Sequence, residues 1–324
     1  MTTQTILAQA VGLSKTFPVK GKKGAVLHAV SQVDLTIYQG ETLALVGESG
    51  CGKSTLGRLL LGLLEPTEGQ AIFDGQDLAA LPSKDLRALR RQMQMVFQDT
   101  AAALNPRLDV EGILSEPLRI HDICPKDQWR ERCGQLLDQV GLSRDLLDRY
   151  PHEISGGQRQ RVVIARALAL EPWLVVCDEP VSALDVSVQA QMLNLLADLQ
   201  EANHLTYLFV SHDLSVVRHI ADRVCVMFLG RVCEIGPVKE IFRHPRHPYT
   251  KFLLDSVPRP DPTLRDREKT VLSGEIPSPV DPPSGCRFRT RCPYAREICA
   301  REVPPMRPMG EGQVACHFPL PEGV

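Results

Sequence analysis

Gly47-Glu48-Ser49-Gly50-Cys51-Gly52-Lys53-Ser54 is the stretch on which the reading of this chain turns. It fits G-x-x-x-x-G-K-[ST], with apolar Leu43-Ala44-Leu45-Val46 before it and a helical pattern over residues 54–61 after it. The glycines let the backbone wrap so that amide N–H groups point inward at phosphates. The helix that follows adds the positive end of its dipole. Strand, glycine-rich turn and helix in that order predict an α/β fold of the phosphate-loop type. Lys53 is expected to reach the outer phosphates and Ser54 to bind Mg²⁺. Gly47, Ser49, Gly50, Cys51, Gly52 and Thr55 complete the cradle.

The other half of such a site is an acid at the end of a buried strand. Leu174-Val175-Val176-Cys177-Asp178-Glu179 supplies two acids. Asp178 is expected to hold Mg²⁺ through water, and Glu179 to act as general base or to orient the attacking water. Residues 93–97, 173–177 and 205–210 read as short strands. Residues 158–170, stopped near Pro172, and residues 186–201 read as helices. From about 110 to 149 the pattern is mainly helical and breaks the α/β alternation. That predicts an inserted helical subdomain over about 100–165.

Composition bounds the function. Lys plus Arg is 37 and Asp plus Glu is 39, a formal charge of −2, which argues against nucleic-acid binding through bulk charge. No run approaches the ~18 consecutive apolar residues of a membrane span. Residues 1–10 lack the basic start and apolar stretch of a signal peptide. A cytosolic chain that meets a membrane only through partners is expected. After about residue 256 proline becomes dense (Pro258, Pro260, Pro262, Pro277, Pro279, Pro282, Pro283) and apolar periodicity ends. The expected organisation is a nucleotide-binding domain over 1–255 and an extension over 256–324. The extension has too few large apolar residues for a core without a staple.

Further segments carry a family resemblance. Ile154-Ser155-Gly156-Gly157-Gln158 resembles the ABC signature, with isoleucine where leucine is usual. Gln98 follows the strand at 93–97 as the Q-loop glutamine does, and His212 stands where the switch histidine does. Ser182-Ala183-Leu184-Asp185 resembles the D-loop. In this order the set resembles the ABC-type ATPases. Ser155, Gly156 and Gly157 lie ahead of a helix and offer a hydroxyl, amides and a dipole end to phosphate. One site cannot use two such cradles. The resemblance implies that this second cradle faces the ATP of a partner subunit, with two ATP molecules sandwiched in a dimer and Asp185 close by. It also implies Gln98, Glu179 and His212 in hydrolysis, and Gln98 with Ser54 and Asp178 at Mg²⁺. Phe17 would stack on adenine where the family often has tyrosine; a core role for Phe17 is the alternative.

The resemblance narrows to ATPase subunits of bacterial dipeptide and oligopeptide importers, and covers nearly the whole chain. Arg246-His247-Pro248-Tyr249-Thr250, Gly274-Glu275-Ile276-Pro277-Ser278 and the cysteine-bearing tail carry it. The stretch from Val46 to Leu60 and Asp185-Val186-Ser187-Val188-Gln189-Ala190-Gln191 are most similar to the DppF-type subunit. The resemblance implies an ATPase peripheral to the cytoplasmic face of the bacterial inner membrane that energises import of dipeptides or short oligopeptides. A related importer of nickel, haem or glutathione, and a non-transport ABC ATPase, are the alternatives. Implied partners are a second, homologous ATPase in a heterodimer, two transmembrane permease subunits meeting residues 105–120, and an extracytoplasmic peptide-binding protein. No nucleic acid is expected.

Of ten cysteines, Cys51, Cys124, Cys133, Cys177, Cys225 and Cys233 are scattered and read as reduced thiols. Cys286, Cys292, Cys299 and Cys316 crowd the tail, with five, six and sixteen residues between them. Those gaps match neither zinc ribbons nor ferredoxins, so spacing says only that four thiolates could converge on a metal. The family resemblance implies a [4Fe–4S] cluster on all four, with Zn²⁺ as the alternative. Arg287, Arg289 and Arg291 are expected either to offset the thiolate charge or to keep the tail soluble.

Overall fold

A computed structural model describes residues 5–22, 24–182, 184–257 and 275–322. Pro258, Pro260, Pro262, Gly274 and Ala183, on which parts of the reading above rest, lie outside them. The elements run β1 (Ile6–Pro18), β2 (Val26–Tyr38), β3 (Thr42–Val46), α1 (Lys53–Leu60), β4 (Glu68–Phe73), β5 (Gln76–Asp77), α2 (Ser83–Leu89), β6 (Met93–Val96), α3 (Thr100–Ala103) and α4 (Val110–Ile120). Then come α5 (Trp129–Gln139), α6 (Gly156–Leu168), β7 (Leu174–Asp178), α7 (Val186–Asn203), β8 (Thr206–Ser211), α8 (Leu214–Ile220), β9 (Arg223–Phe228), β10 (Arg231–Pro237), α9 (Val238–Arg243), α10 (Pro248–Ser256), α11 (Ile298–Arg301), β11 (Arg307–Met309) and β12 (Gly312–Val314). They fall into two compact units, one dominated by residues 81–210 and the other by 6–37, 41–80 and 211–324.

In the first unit β6, β7 and β8 run parallel, with Met93 opposite Leu174 and Leu174 opposite Thr206. Every residue of β7 and β8 is buried, as expected where helices cover both faces of a parallel sheet. α4, α5 and α6 pack on one another, and Ile113, Leu114 and Leu118, Leu136 and Leu137, and Val162 and Val163 on them are buried. Asp109 caps α4 by accepting from the Gly112 N–H at 2.8 Å.

The second unit carries strands that apolar periodicity did not announce. β2, β1, β4 and β5 form a four-stranded sheet, with β1 antiparallel to β4 and β4 to β5. Asp74-Gly75, both at positive φ, turn the β4–β5 hairpin. A second sheet places β3 parallel to β9, then β10, β12 and β11 antiparallel in sequence. The tail thus adds β12 to the edge of β10, with Glu234 opposite Val314. It also shares the core beneath β3 and β9: Phe288 is buried against Phe228 and Tyr249. Of its large apolar residues Phe288, Val314 and Leu320 are buried, while Ile276, Tyr294, Ile298, Val303 and Met306 are exposed.

Candidate active site

The phosphate loop is held by its glycines. Gly47 has φ +152°, and a Cβ there would stand 2.2 Å from the Met227 carbonyl oxygen. At Gly52, φ +105°, it would stand 2.1 Å from the Ala29 carbonyl oxygen. No L side chain fits either position without moving backbone. Lys53 opens α1 and is buried; its Nζ donates to the carbonyls of Gly47 at 2.8 Å and Glu48 at 3.1 Å. The ammonium is therefore folded back into the loop it is expected to serve, and α1 starts without a side-chain cap. Ser49 and Gly50 are exposed at the rim; Ser54 and Thr55 are half-buried, and Cys51 is buried with burial raising its thiol pKa. Phe17, in the same unit, is half-buried near the end of β1, with the Lys15 ammonium 5.4 Å from its ring centroid. His212 is exposed just after β8, ahead of Asp213, which caps α8.

The first unit holds the acids. Asp178 ends β7 and is 2% exposed. Glu179 follows in a left-handed conformation, φ +48°, that a non-glycine residue adopts only when its surroundings impose it. Those surroundings are explicit: its N–H donates to the Val210 carbonyl at 3.0 Å, and its own carbonyl accepts from the Ser182 hydroxyl at 3.1 Å. Gln98 Nε2 donates to Glu179 Oε2 at 2.8 Å. A strand-end glutamine and a strand-end acid, 81 residues apart in sequence, thus meet at hydrogen-bond distance.

The second anion cradle is also formed. Ser155 caps α6 reciprocally: its hydroxyl accepts from the Gln158 N–H at 3.3 Å and its N–H donates to the Gln158 side chain at 2.9 Å. Ser155 and Gly156 are exposed, while Ile154, the unusual signature residue, is buried. Arg159 donates to the Ile154 and Pro151 carbonyls and fixes the approach to the helix. Asp185 precedes α7 in extended backbone and is exposed, as is Val186, at 82%.

The family profile described as ABC transporter matches residues 30–182, and that described as oligopeptide/dipeptide transporter, C-terminal region, matches 233–299. The chain is 51% identical over 320 residues to the probable peptide ABC transporter ATP-binding protein y4tS of Sinorhizobium fredii, covering 97% of this chain and 90% of that one. It is 54% identical over 301 residues to the putative oligopeptide transport ATP-binding protein YkfD of Bacillus subtilis, covering 92% and 91%. Among solved structures, the ATP-binding cassette MJ0796, a dimer bound to ADP and Pi, aligns with TM-score 0.65 and 30% identity over 72% of this chain and 99% of that one. This chain belongs to the ATP-binding proteins of ABC transporters. It has their phosphate-loop ATPase fold and is an ATP-hydrolysing enzyme.

Past the ABC transporter profile, the chain of this ATPase closes on itself through a buried carboxylate. Glu234 on β10 accepts from the N–H groups of Arg246 at 2.7 Å and His247 at 2.9 Å. Burial raises its pKa, and those hydrogen bonds favour its charged form. Arg246 in turn reaches Glu322 at 2.5 Å, and its carbonyl accepts from the Leu320 N–H. The segment singled out above for resemblance alone, Arg246 to Thr250, is therefore the fastening of the tail.

Cys286, Cys292, Cys299 and Cys316 line one cavity, walled by His247, Phe288, Tyr294 and Phe318. All four are free thiols. Burial pushes Cys292 up to about 11 and Cys316 up to about 12, with the neighbouring cysteines adding to the rise. Cys299 is buried and the other three thiols are half-buried. Among the described residues, no three His, Cys, Asp or Glu side chains stand in an arrangement that would hold a metal ion. The arginines do not act as a set. Arg289 alone of the three lines the cavity. Arg287 turns away to the Leu229 carbonyl and to the Ser31 hydroxyl, and Arg291 pairs with Glu48 of the phosphate loop. Sequence proximity to cysteine misled here because successive turn residues point in different directions.

Proposed function

We propose that this ATPase energises the import of dipeptides or short oligopeptides through an ABC transporter. The observation that carries the reading is the near-full-length similarity to proteins named as peptide and oligopeptide import ATP-binding proteins, together with the match of residues 233–299 to the oligopeptide/dipeptide transporter C-terminal region. In this reading residues 1–255 form the ATPase domain, with a helical subdomain over about 100–165, and residues 256–324 form the metal-binding extension.

Lys53 binds the β- and γ-phosphates, and the loop amides from Gly47 to Thr55 wrap the anion. Ser54, Asp178 and Gln98 hold Mg²⁺. Glu179 takes a proton from the attacking water or orients it, and His212 and Gln98 complete the hydrolytic set. Phe17 stacks on adenine. Ser155, Gly156 and Gly157 face the ATP of a second, homologous ATPase, with Asp185 at the same interface. The open N-terminus of α6 and the exposed Val186 support such an interface. Two permease subunits meet residues 105–120 at the cytoplasmic face of the membrane, where Ile120 is exposed. An extracytoplasmic protein delivers the peptide. Among the described residues no helix is long and apolar enough to cross a membrane, so transport needs those partners.

Cys286, Cys292, Cys299 and Cys316 would hold a [4Fe–4S] cluster, which supplies a cross-link for a tail without a core of its own. Two measurements test the whole. Loss of the gene should abolish uptake of a labelled dipeptide, restored by the wild-type chain and not by Glu179→Gln; undiminished uptake in the deletion overturns peptide import. Anaerobically purified protein should contain about four irons and four acid-labile sulfides per chain. One zinc and no iron overturns the cluster.

A further inference from the structure

Glu48 stands at a position that the phosphate-loop pattern leaves unspecified, yet it is anchored at three points. Its side chain takes two hydrogen bonds from Arg291, with Nη1 3.0 Å from Oε1 and 3.0 Å from Oε2. Its N–H donates to the Tyr249 hydroxyl at 2.9 Å. Its carbonyl accepts from Lys53 Nζ at 3.1 Å. The Arg291 side chain is 8% exposed and that of Glu48 20%, so the pair is largely shielded from solvent and salt. Arg291 also lies over the Phe252 ring, 5.9 Å from its centroid. Both long-range anchors, Tyr249 and Arg291, come from beyond the segment that matches the ABC transporter profile. Arg291 directly precedes Cys292, one of the four thiols around the tail cavity.

From this we infer that Arg291 is a positioning residue: the cysteine-bearing tail, through the Arg291–Glu48 pair, holds the phosphate loop in its nucleotide-accepting shape and so sets the affinity for ATP. When Lys53 leaves the Glu48 carbonyl for phosphate, the third anchor is gone. The loop then keeps its shape through Tyr249 and Arg291. A tail that loosens around Cys292 withdraws Arg291, and the loop pays in preorganisation.

The test is titration of a fluorescent ATP analogue into the full chain, with thermal unfolding of each variant alongside. Arg291→Met should weaken nucleotide binding about fivefold, the size expected of one partly buried ion pair. Glu48→Gln should do the same. The double variant should be no weaker than either single one, and Arg291→Lys should recover most of the loss. Cys292→Ala should weaken binding by the same factor, with no further loss in the Arg291→Met background. Hydrogen exchange of the amides at 47–54 should speed up in each of these except Arg291→Lys. Unchanged affinity in folded Arg291→Met, or additive losses in the double variant, overturns the role of the pair. Wild-type affinity in Cys292→Ala overturns the link to the tail.

Discussion

The phosphate loop and the cysteine-bearing tail belong to the same compact unit and are built in opposite ways. The loop is specified residue by residue: Gly47 and Gly52 occupy backbone positions that a Cβ would block, and Lys53 is held by carbonyls five and six residues away. The tail is specified at a distance. Arg287 binds Ser31 across 256 positions, Arg291 binds Glu48 across 243, and β12 pairs with β10. Chemistry that depends on local backbone shape has to be written as a motif. Attachment that depends on remote partners leaves no such mark.

The largest expected effect lies on the motif side. Glu179→Gln removes the proposed proton acceptor but keeps the shape and the hydrogen bond from Gln98. Steady-state hydrolysis should fall by roughly 10²–10⁴-fold, with ATP binding retained. Turnover within threefold of wild type would remove Glu179 from the chemistry and leave its left-handed backbone without a function.

Next comes a pair of glycine replacements that separates space from backbone strain. Gly47→Ala must clear a carbonyl oxygen 2.2 Å away at φ +152° and should cost about 3 kcal/mol or more in urea unfolding. Gly50→Ala meets nothing within 4 Å at φ +76° and should cost about 1 kcal/mol. Equal costs would mean that the loop yields as a whole, and that its glycines are not individually required.

A smaller effect probes the tail. Arg287→Met leaves the Leu229 carbonyl and the Ser31 hydroxyl without their donor, at about 1–2 kcal/mol. Relief offsets part of that, since burial and the nearby Arg231 push the Arg287 pKa down to about 10. A thermal or urea transition unmoved by Arg287→Met would make the tail a separable appendage.

The sequence reading mirrors this division. The strands at 43–46, 173–177 and 205–210 and the helix after Lys53 were legible to within a residue or two, because buried parallel strands are short unbroken apolar runs. β1, β2, β9 and β10 were not named: β1, β2 and β10 mix polar with apolar residues, so their burial is decided by what lies opposite them, whereas β9 is an apolar, almost wholly buried strand parallel to β3 that was passed over. The meeting of Gln98 with Glu179 follows from two parallel strands ending side by side, which the motif order implies. The Arg291–Glu48 pair does not follow from anything local. Arg291 looked like one of three tail cations, and its partner lies in a loop already explained by phosphate. One clue was available: Glu48 is a charged residue in a loop whose task is to receive an anion.

The smallest expected effect bears on Phe17, where the local signal is weakest. A residue that packs a core and one that stacks on a base both appear as an aromatic in a strand. Phe17 is half-buried, near the end of β1, with one ring face approached by Lys15. Such a ring has surface left to give to a purine. Phe17→Ala should therefore weaken ATP binding about fivefold, close to 1 kcal/mol, and Phe17→Tyr should leave it unchanged. Chain stability should move by less than about 1.5 kcal/mol, because little buried area is lost. A destabilisation of about 3–5 kcal/mol with unchanged ATP affinity is the signature of a core phenylalanine. It would move Phe17 from the motif-encoded site to the long-range packing that the tail exemplifies.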